Sequence, residues 1–263
     1  MDFTQTGGRI AAFFDLDGTL ALGNRPPSPQ DAEAIRAMRA AGHLAFLCTG
    51  RARGFLYPAV TDIGFDGIVA GAGAHITVGD KTLLRRSLGP ETLRLIIAHF
   101  LHTGQTCVLE GERGMYLIND RANLPAEWPR VKDPADFEGP LAGRPVTKIT
   151  VYGVCSPETR QLLAPHLTII AHADYMEATP LGCTKSAGMR LVLEAVGIPR
   201  EDSVAFGDSN NDLDMLRYAG IGVAMGNATE EAKAAADMVT DTLENAGVSQ
   251  ALHALGLCGR DAG

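Results

Sequence analysis

Short apolar runs that alternate with helical stretches predict an α/β protein built on a doubly wound, Rossmann-like parallel sheet. Three observations carry that prediction. Residues 10–14, 44–48, 67–70, 203–206 and 221–224 are strand-length apolar runs, as expected of strands buried on both faces. Helical segments stand between them, and a strand–helix–strand alternation specifies parallel pairing. The alternation breaks off near residue 73 and resumes near residue 183, with hairpin-like segments between. The simplest account is one α/β domain, residues 1–73 and 181–263, split by an inserted α+β domain of residues 74–180.

The elements follow in order. Residues 10–14 read as a buried strand. Ser28-Pro29 caps a helix that runs to about residue 41 and stops at Gly42. Residues 44–48 form a second strand, residues 54–62 a short helix and residues 67–70 a third strand. The insert opens with a hairpin, 75–78 and 82–86, turning at Gly79-Asp80. A helix over 90–101 and a hairpin of 106–110 with 115–119 follow. Residues 123–145, rich in Pro, Gly and charge, read as a long connection. Then come strand 146–152, helix 157–163 and strand 167–173. The α/β pattern returns with helix 186–196, strand 203–206, helix 212–218, strand 221–224, helix 229–236, strand 238–240 and helix 248–255. Glycines at Gly71, Gly73 and Gly182 mark the two joins.

Composition narrows the function. The 263-residue chain is 46% hydrophobic and 21% charged, with a formal net charge of −8. An acidic balance argues against nucleic acid, whose phosphates call for a basic face. A small anionic substrate remains compatible, since a metal or a few basic side chains can set the local charge. The five cysteines contain no Cys-x-x-Cys pair, which predicts reduced thiols, no zinc site and a cytoplasmic protein. No apolar run approaches the roughly 18 residues of a membrane span, and residues 1–9 show no signal-peptide pattern. Nothing in the sequence specifies an oligomeric state.

Four polar clusters sit at strand ends or at a helix start. They are Asp15-Leu16-Asp17-Gly18-Thr19, Cys48-Thr49-Gly50-Arg51, Thr184-Lys185-Ser186 and Gly207-Asp208-Ser209-Asn210-Asn211-Asp212. Ligands of open α/β sheets bind outside the carboxyl ends of the strands, so these clusters share one edge. Side chains two apart on a strand point to the same side, which pairs Asp15 with Asp17. Each cluster has a use in phosphoryl transfer. A carboxylate can attack phosphorus and form an aspartyl phosphate. Mg²⁺ on oxygen ligands removes the repulsion between that carboxylate and a phosphate dianion, and Asp15 and Asp208 suit it. A lysine balances charge. A threonine hydroxyl and adjacent N–H groups hold phosphate oxygens. A second carboxylate protonates the leaving oxygen, then activates water. Any one cluster alone reads as a turn or a helix cap; their order and shared edge make the case.

The same residues resemble the haloacid dehalogenase-like (HAD) hydrolases, in particular the Cof-type, subclass IIB phosphatases with an inserted cap of the second class (C2). The match runs over nearly the whole chain and includes Asp15 to Leu20, Thr49-Gly50-Arg51, Lys185 after Tyr175-Met176-Glu177, Asp208 to Asp212, and the closing segment 231–240 with Gly247-Val248. The resemblance implies Asp15 as nucleophile and Asp17 as general acid/base. It implies Thr49, Gly50, Lys185 and Asn211 as phosphate binders. Mg²⁺ falls to Asp15, the backbone carbonyl of Asp17 and Asp208, with Asp212 near the metal shell. The implied partner is a small phosphorylated metabolite, with phosphosugars leading. A phosphotransferase or phosphomutase using the same intermediate is the alternative, and a non-catalytic binding protein a third reading.

Other candidates fit less well. Gly71 to His75 lacks the Lys-Ser/Thr ending of a nucleotide loop and reads as a linker. His75, His99, His102, His166 and His172 lack metal-ligand spacing. Arg51 and Arg53 could guide an anion or be surface charge. Arg113, Tyr116, Arg121 and His172 read as ordinary cap residues rather than substrate contacts, and Trp128 as a residue packing the long connection.

Overall fold

The computed structural model describes residues 8–138, 141, 143–172 and 174–258. Residues 1–7, most of the segment read as having no leader, lie outside the described residues, as does Ala173, the end of the strand expected over 167–173.

The described residues form two sheets and two apolar cores. The large sheet has eight strands in the order β13-β12-β11-β1-β2-β3-β4-β5. These are β1 (Ala11–Phe14), β2 (Leu44–Cys48), β3 (Gly67–Ala70), β4 (His75–Val78), β5 (Lys81–Arg85), β11 (Ser203–Gly207), β12 (Ile221–Ala224) and β13 (Met238–Val239). Pairing is parallel from β13 through β3 and antiparallel at β4 and β5. Five helices accompany it: α1 (Pro29–Ala40), α5 (Lys185–Val196), α6 (Leu213–Tyr218), α7 (Glu230–Ala235) and α8 (Gly247–Ala254), with the single turn α2 (Pro58–Thr61). Every residue of β1, β2, β11 and β12 is buried. Phe13 stacks on Phe46 at 5.0 Å and Phe14 on Phe206 at 4.8 Å, tying β1 to both neighbours. The chain leaves β1 toward β2 on one side, and β11 and β12 fill the other. That reversal of strand order beside β1 is where ligands of such sheets bind.

The second sheet has the order β7-β6-β8-β10-β9. Its strands are β6 (Cys107–Gly111), β7 (Gly114–Ile118), β8 (Val146–Tyr152), β9 (Leu167–Ala171) and β10 (Tyr175–Pro180), with helices α3 (Pro90–Thr103) and α4 (Pro157–Leu163). Ile149, Val151, Met176 and Ala178 join the helices in a core of their own.

Three expectations are corrected here. The hairpin 75–85 belongs to the large sheet, since β4 pairs with β3 from Gly67↔Val78 to Ala70↔His75. The insert in the sense of a separate sheet therefore begins after residue 85, not at 74. Residues 175–180 form a strand that hydrogen-bonds to both β8 and β9, so the insert is one five-stranded sheet rather than paired hairpins. The helix expected over 54–62 is broken into a 3₁₀ turn, Arg53–Phe55, and α2. Pro58 accounts for the break, because it disfavours helical backbone at Tyr57 before it, which is extended at ψ 155°. No helix among the described residues is long and apolar enough to cross a membrane.

Candidate active site

The sequence clusters meet where the strand order reverses. Asp15 follows β1, Thr49 follows β2 and Asp208 follows β11, and these three strands are neighbours. Asp15 N–H donates to the Phe206 carbonyl at 3.0 Å, which fixes the end of β1 against β11. The chain then turns at Gly18, whose φ of +91° only glycine adopts without strain. A Cβ there would stand 2.2 Å from an Asp208 oxygen. The turn is held from both sides: Thr19 Oγ1 donates to Asp208 Oδ1 at 3.0 Å, and Asn227 Nδ2 donates to the Gly18 carbonyl at 2.8 Å.

Lys185 enters from α5. Thr184 caps that helix by accepting from Ala187 N–H at 3.1 Å, so Lys185 occupies its first position with a fully buried side chain. An ammonium at a helix N-terminus opposes the helix dipole. Carboxylates compensate it, with Lys185 Nζ 2.6 Å from Asp15 Oδ1 and 2.5 Å from Asp212 Oδ1, and donating to Asn211 Oδ1 at 3.2 Å. Burial works against this ammonium, but Asp15 and Asp212 outweigh it and hold its pKa well above the ordinary lysine value. The other Asp212 oxygen accepts the N–H groups of Asp208 and Ser209 at 2.9 and 3.0 Å. Both Asp212 oxygens are thus engaged in fixing Lys185 and the loop after β11.

The charges do not balance. Carboxylate oxygens of Asp15, Asp208 and Asp212 lie within 4.8 Å of one another, facing one buried ammonium. Two negative charges are left over. Burial, then Asp212, pushes the Asp208 pKa up to about 7. Asp15 moves well upward for the same two reasons, in the same order. A site of hard oxygen donors with an excess of two negative charges fits one divalent cation of the Mg²⁺ or Ca²⁺ kind.

Asp17 stands apart, its side chain 46% exposed. It forms a two-pronged pair with Arg51, Nε to Oδ2 at 2.7 Å and Nη2 to Oδ1 at 2.6 Å. Arg51 is further held by the Gly23 carbonyl at 2.7 Å and lies over the Tyr57 ring. Of the two arginines left open by the sequence, Arg51 joins the site. Arg53 instead donates to Thr77 Oγ1 at 3.0 Å. The Thr49 hydroxyl, buried, accepts from Arg51 N–H at 3.0 Å, leaving its own hydrogen to donate. Cys48 is no competing nucleophile, since burial drives its thiol pKa well above the ordinary value.

Asp15, Asp17, Gly50, Arg51, Asp208 and Asn211 line a cavity of about 330 Å³, and the cap completes it with Lys148, Tyr175 and Glu177. The two domains approach closely there. A Cβ on Gly50 would sit 3.8 Å from both Glu177 Oε1 and Lys148 Nζ. Sequence reasoning missed Lys148 and gave Glu177 no role. One signal was available: β8 reads Val-Thr-Lys-Ile-Thr-Val-Tyr, and its alternation puts Lys148, Thr150 and Tyr152 on a single polar face. His172, read as an ordinary cap residue, abuts the cavity wall through Glu177 and Tyr175. Tyr116 is buried against Phe137 in the cap core, and Arg113 is exposed.

A family model described as haloacid dehalogenase-like hydrolase matches residues 12–252. The chain belongs to that family. A 5-amino-6-(5-phospho-D-ribitylamino)uracil phosphatase of Bacillus subtilis, YcsE, is 27% identical over 243 residues, spanning 91% of this chain and 92% of that one. The HAD subclass IIB sugar phosphatase BT4131 superposes with a TM-score of 0.79 at 28% identity, covering 94% of this chain and 99% of its own. BT1666, a family phosphatase from Bacteroides thetaiotaomicron, gives 0.83 at 25% identity over 95% and 96%. The chain is a phosphatase-type enzyme of the subclass IIB, Cof-type branch.

Proposed function

We infer that the protein hydrolyses a small phosphorylated metabolite, a sugar phosphate, with Mg²⁺ and through an aspartyl phosphate on Asp15. The observation that carries this reading is the excess of two negative charges around a buried aspartate, with a second aspartate in the same cavity. Asp15, Asp208 and the backbone carbonyl of Asp17 would hold Mg²⁺, which would supply the positive charge that lets a carboxylate meet a phosphate dianion.

The side chains divide the remaining work. Asp15 forms a bond to phosphorus as the bond from phosphorus to the leaving oxygen breaks. Lys185 neutralises charge beside the nucleophile. Thr49, the Gly50 backbone and Asn211 hold phosphoryl oxygens. Asp17 gives its proton to the leaving alcohol, then takes one from the water that attacks phosphorus and frees Asp15. Both Asp17 oxygens accept from Arg51 here, so Asp17 turns from Arg51 to reach the leaving oxygen. The cap restricts water during the first step.

Asp15→Asn tests this. With Mg²⁺ and p-nitrophenyl phosphate, wild type releases phenolate. Asp15→Asn is expected to lose about 10⁴-fold or more in kcat, the scale on which loss of a nucleophile acts. Equal rates in the two proteins would sink the reading, as would turnover that survives removal of divalent cations by chelation.

A further inference from the structure

The cap sheet turns a charged face to the cavity. Register places Glu110 opposite Lys148, Thr150 opposite Glu177 and Tyr152 opposite Tyr175. Opposed residues of antiparallel strands share a face, so these six point one way while the apolar cap core takes the other. Glu110, Lys148 and Glu177 are nonetheless buried. Lys148 Nζ lies 2.5 Å from Glu177 Oε1 and 3.2 Å from Glu110 Oε1. Thr150 Oγ1 donates to Glu110 Oε1 at 2.5 Å. The second Glu177 oxygen meets His172 Nε2 at 3.2 Å and Asn211 Nδ2 at 3.5 Å.

Stability does not account for this cluster. Buried ion pairs are often replaceable by apolar residues at no loss, and the phosphoryl chemistry above uses none of the three. What the cluster does offer is a defined surface to whatever leaves with the alcohol oxygen. Two carboxylates against one ammonium give the wall a net negative charge, and Lys148 is already engaged by both. Burial disfavours the charges of Lys148 and Glu177, yet their mutual attraction keeps Lys148 above and Glu177 below their ordinary pKa ranges. Glu177 can accept from a hydroxyl, and the third N–H of Lys148 can donate to one. Beside them Tyr175 stacks on His172, ring centroids 4.1 Å apart and planes 9° from parallel, and its partly exposed ring borders the cavity. An acceptor, a donor and a flat aromatic wall suit a carbon chain or ring bearing hydroxyls.

We propose that the Glu110–Lys148–Glu177 cluster is a leaving-group filter, which admits neutral, hydroxylated leaving groups and rejects those carrying a second anionic group. The proposal rests on the phosphatase reading. A carboxylate or second phosphate on the leaving group would face Glu177 in the cavity wall, with Glu110 behind it on Lys148 and the cluster's one ammonium already engaged by both. A hydroxyl meets hydrogen-bond partners instead.

Matched esters test it. Phosphate release is measured from glucitol 6-phosphate against 6-phosphogluconate, and from glycerol 3-phosphate against 3-phosphoglycerate; in each pair a hydroxymethyl group is replaced by a carboxylate. For wild type, kcat/KM is expected to favour the neutral member of a pair by about tenfold or more, the scale of one like-charge contact in a partly buried site. Glu177→Gln and Glu110→Gln, each checked for an intact melting transition, are expected to shrink that ratio several-fold. The ratio is internal to each protein, so a general loss of activity does not move it. Equal use of neutral and anionic members by wild type overturns the filter, as does an unchanged ratio in both folded variants. Turnover of p-nitrophenyl phosphate with neither neutral ester accepted overturns it too. No turnover of p-nitrophenyl phosphate or of any ester overturns the phosphatase reading, and the filter falls with it.

Discussion

Each half of the molecule buries a lysine between carboxylates, and the two arrangements differ in what they leave unsatisfied. In the core, Lys185 faces Asp15 and Asp212 with Asp208 close by. The acid side exceeds the base side by two charges, and Asp208 is pushed up to about 7. In the cap, Lys148 faces Glu110 and Glu177 with His172 alongside, and Glu177 is drawn below the ordinary carboxylate range. The first cluster resists its own ionisation and so calls for an external cation. The second is nearly complete in itself and keeps a fixed charge pattern toward the cavity. In the proposed reading, a lysine among carboxylates therefore serves as a reaction site in one place and as a recognition surface in the other.

Removing each lysine is the strongest way to break this contrast. Lys185→Met leaves three carboxylates in one buried space. It is expected to destabilise the metal-free protein by about 3–5 kcal/mol in urea unfolding and to abolish turnover. Added Mg²⁺ should recover part of that stability. Lys148→Met leaves two carboxylates with His172 nearby and should destabilise by a smaller amount, about 2–3 kcal/mol, with no recovery by Mg²⁺. Equal Mg²⁺ recovery in both variants would show that the two clusters do not differ as described.

Acidity sharpens the contrast next. Folded and metal-free, Asp208 holds its proton to about pH 7, whereas its ordinary value is 3.8. Between those values the folded state binds more protons than the unfolded, so stability falls as pH rises through that window. Glu177 has the opposite sign. Its folded pKa lies below the ordinary 4.5, so its contribution is present above that value and is lost as pH falls. The metal-free melting temperature is expected to decline from about pH 4 to about pH 7 and to drop again in stronger acid. Saturating Mg²⁺ should flatten the upper decline, because it favours ionised Asp208. A melting temperature with the same pH profile in Mg²⁺ and in chelator would count against the cation site.

The mildest test lies in the cap. Thr150→Val keeps a β-branched residue on β8 and removes the hydroxyl that donates to Glu110. The expected loss is about 1–2 kcal/mol in unfolding free energy, with phosphate release largely retained. A neutral effect would show that Glu110 is satisfied by Lys148 alone.

The contrast also explains what was legible in the sequence. The core site was readable because its parts are local: an apolar strand, then the polar residues at its end. Asp15, Thr49 and Asp208 follow strands whose largely apolar composition announces a buried parallel sheet, and sheet topology does the rest. The cap cluster has no such local signature. Glu110, Lys148 and Glu177 come from three strands, and only their register brings them together. Tyr175 to Pro180 carries a glutamate and ends in proline, which hid its strand. The hairpin 75–85 was visible as a hairpin, yet its attachment to β3 depends on a partner that local pattern does not name. Arg51 was left open for a similar reason, because its contact with Asp17 crosses between loops after different strands.

Strand β10 has a further consequence. It carries Glu177 and, after the turn at Gly182, runs directly into the helix that begins with Lys185. Thr179 Oγ1 donates to the Cys183 carbonyl at 2.7 Å across that turn. Glu177, proposed to read the leaving group, and Lys185, proposed to steady the nucleophile, are thus eight positions apart on one braced segment. Side chains on a strand alternate, so deleting one residue from β10 would swing Glu177 into the apolar cap core. Insertions elsewhere in the cap, such as in the long connection before β8, carry no such penalty. The cap of this chain should therefore tolerate a change of length in that connection far better than in β10.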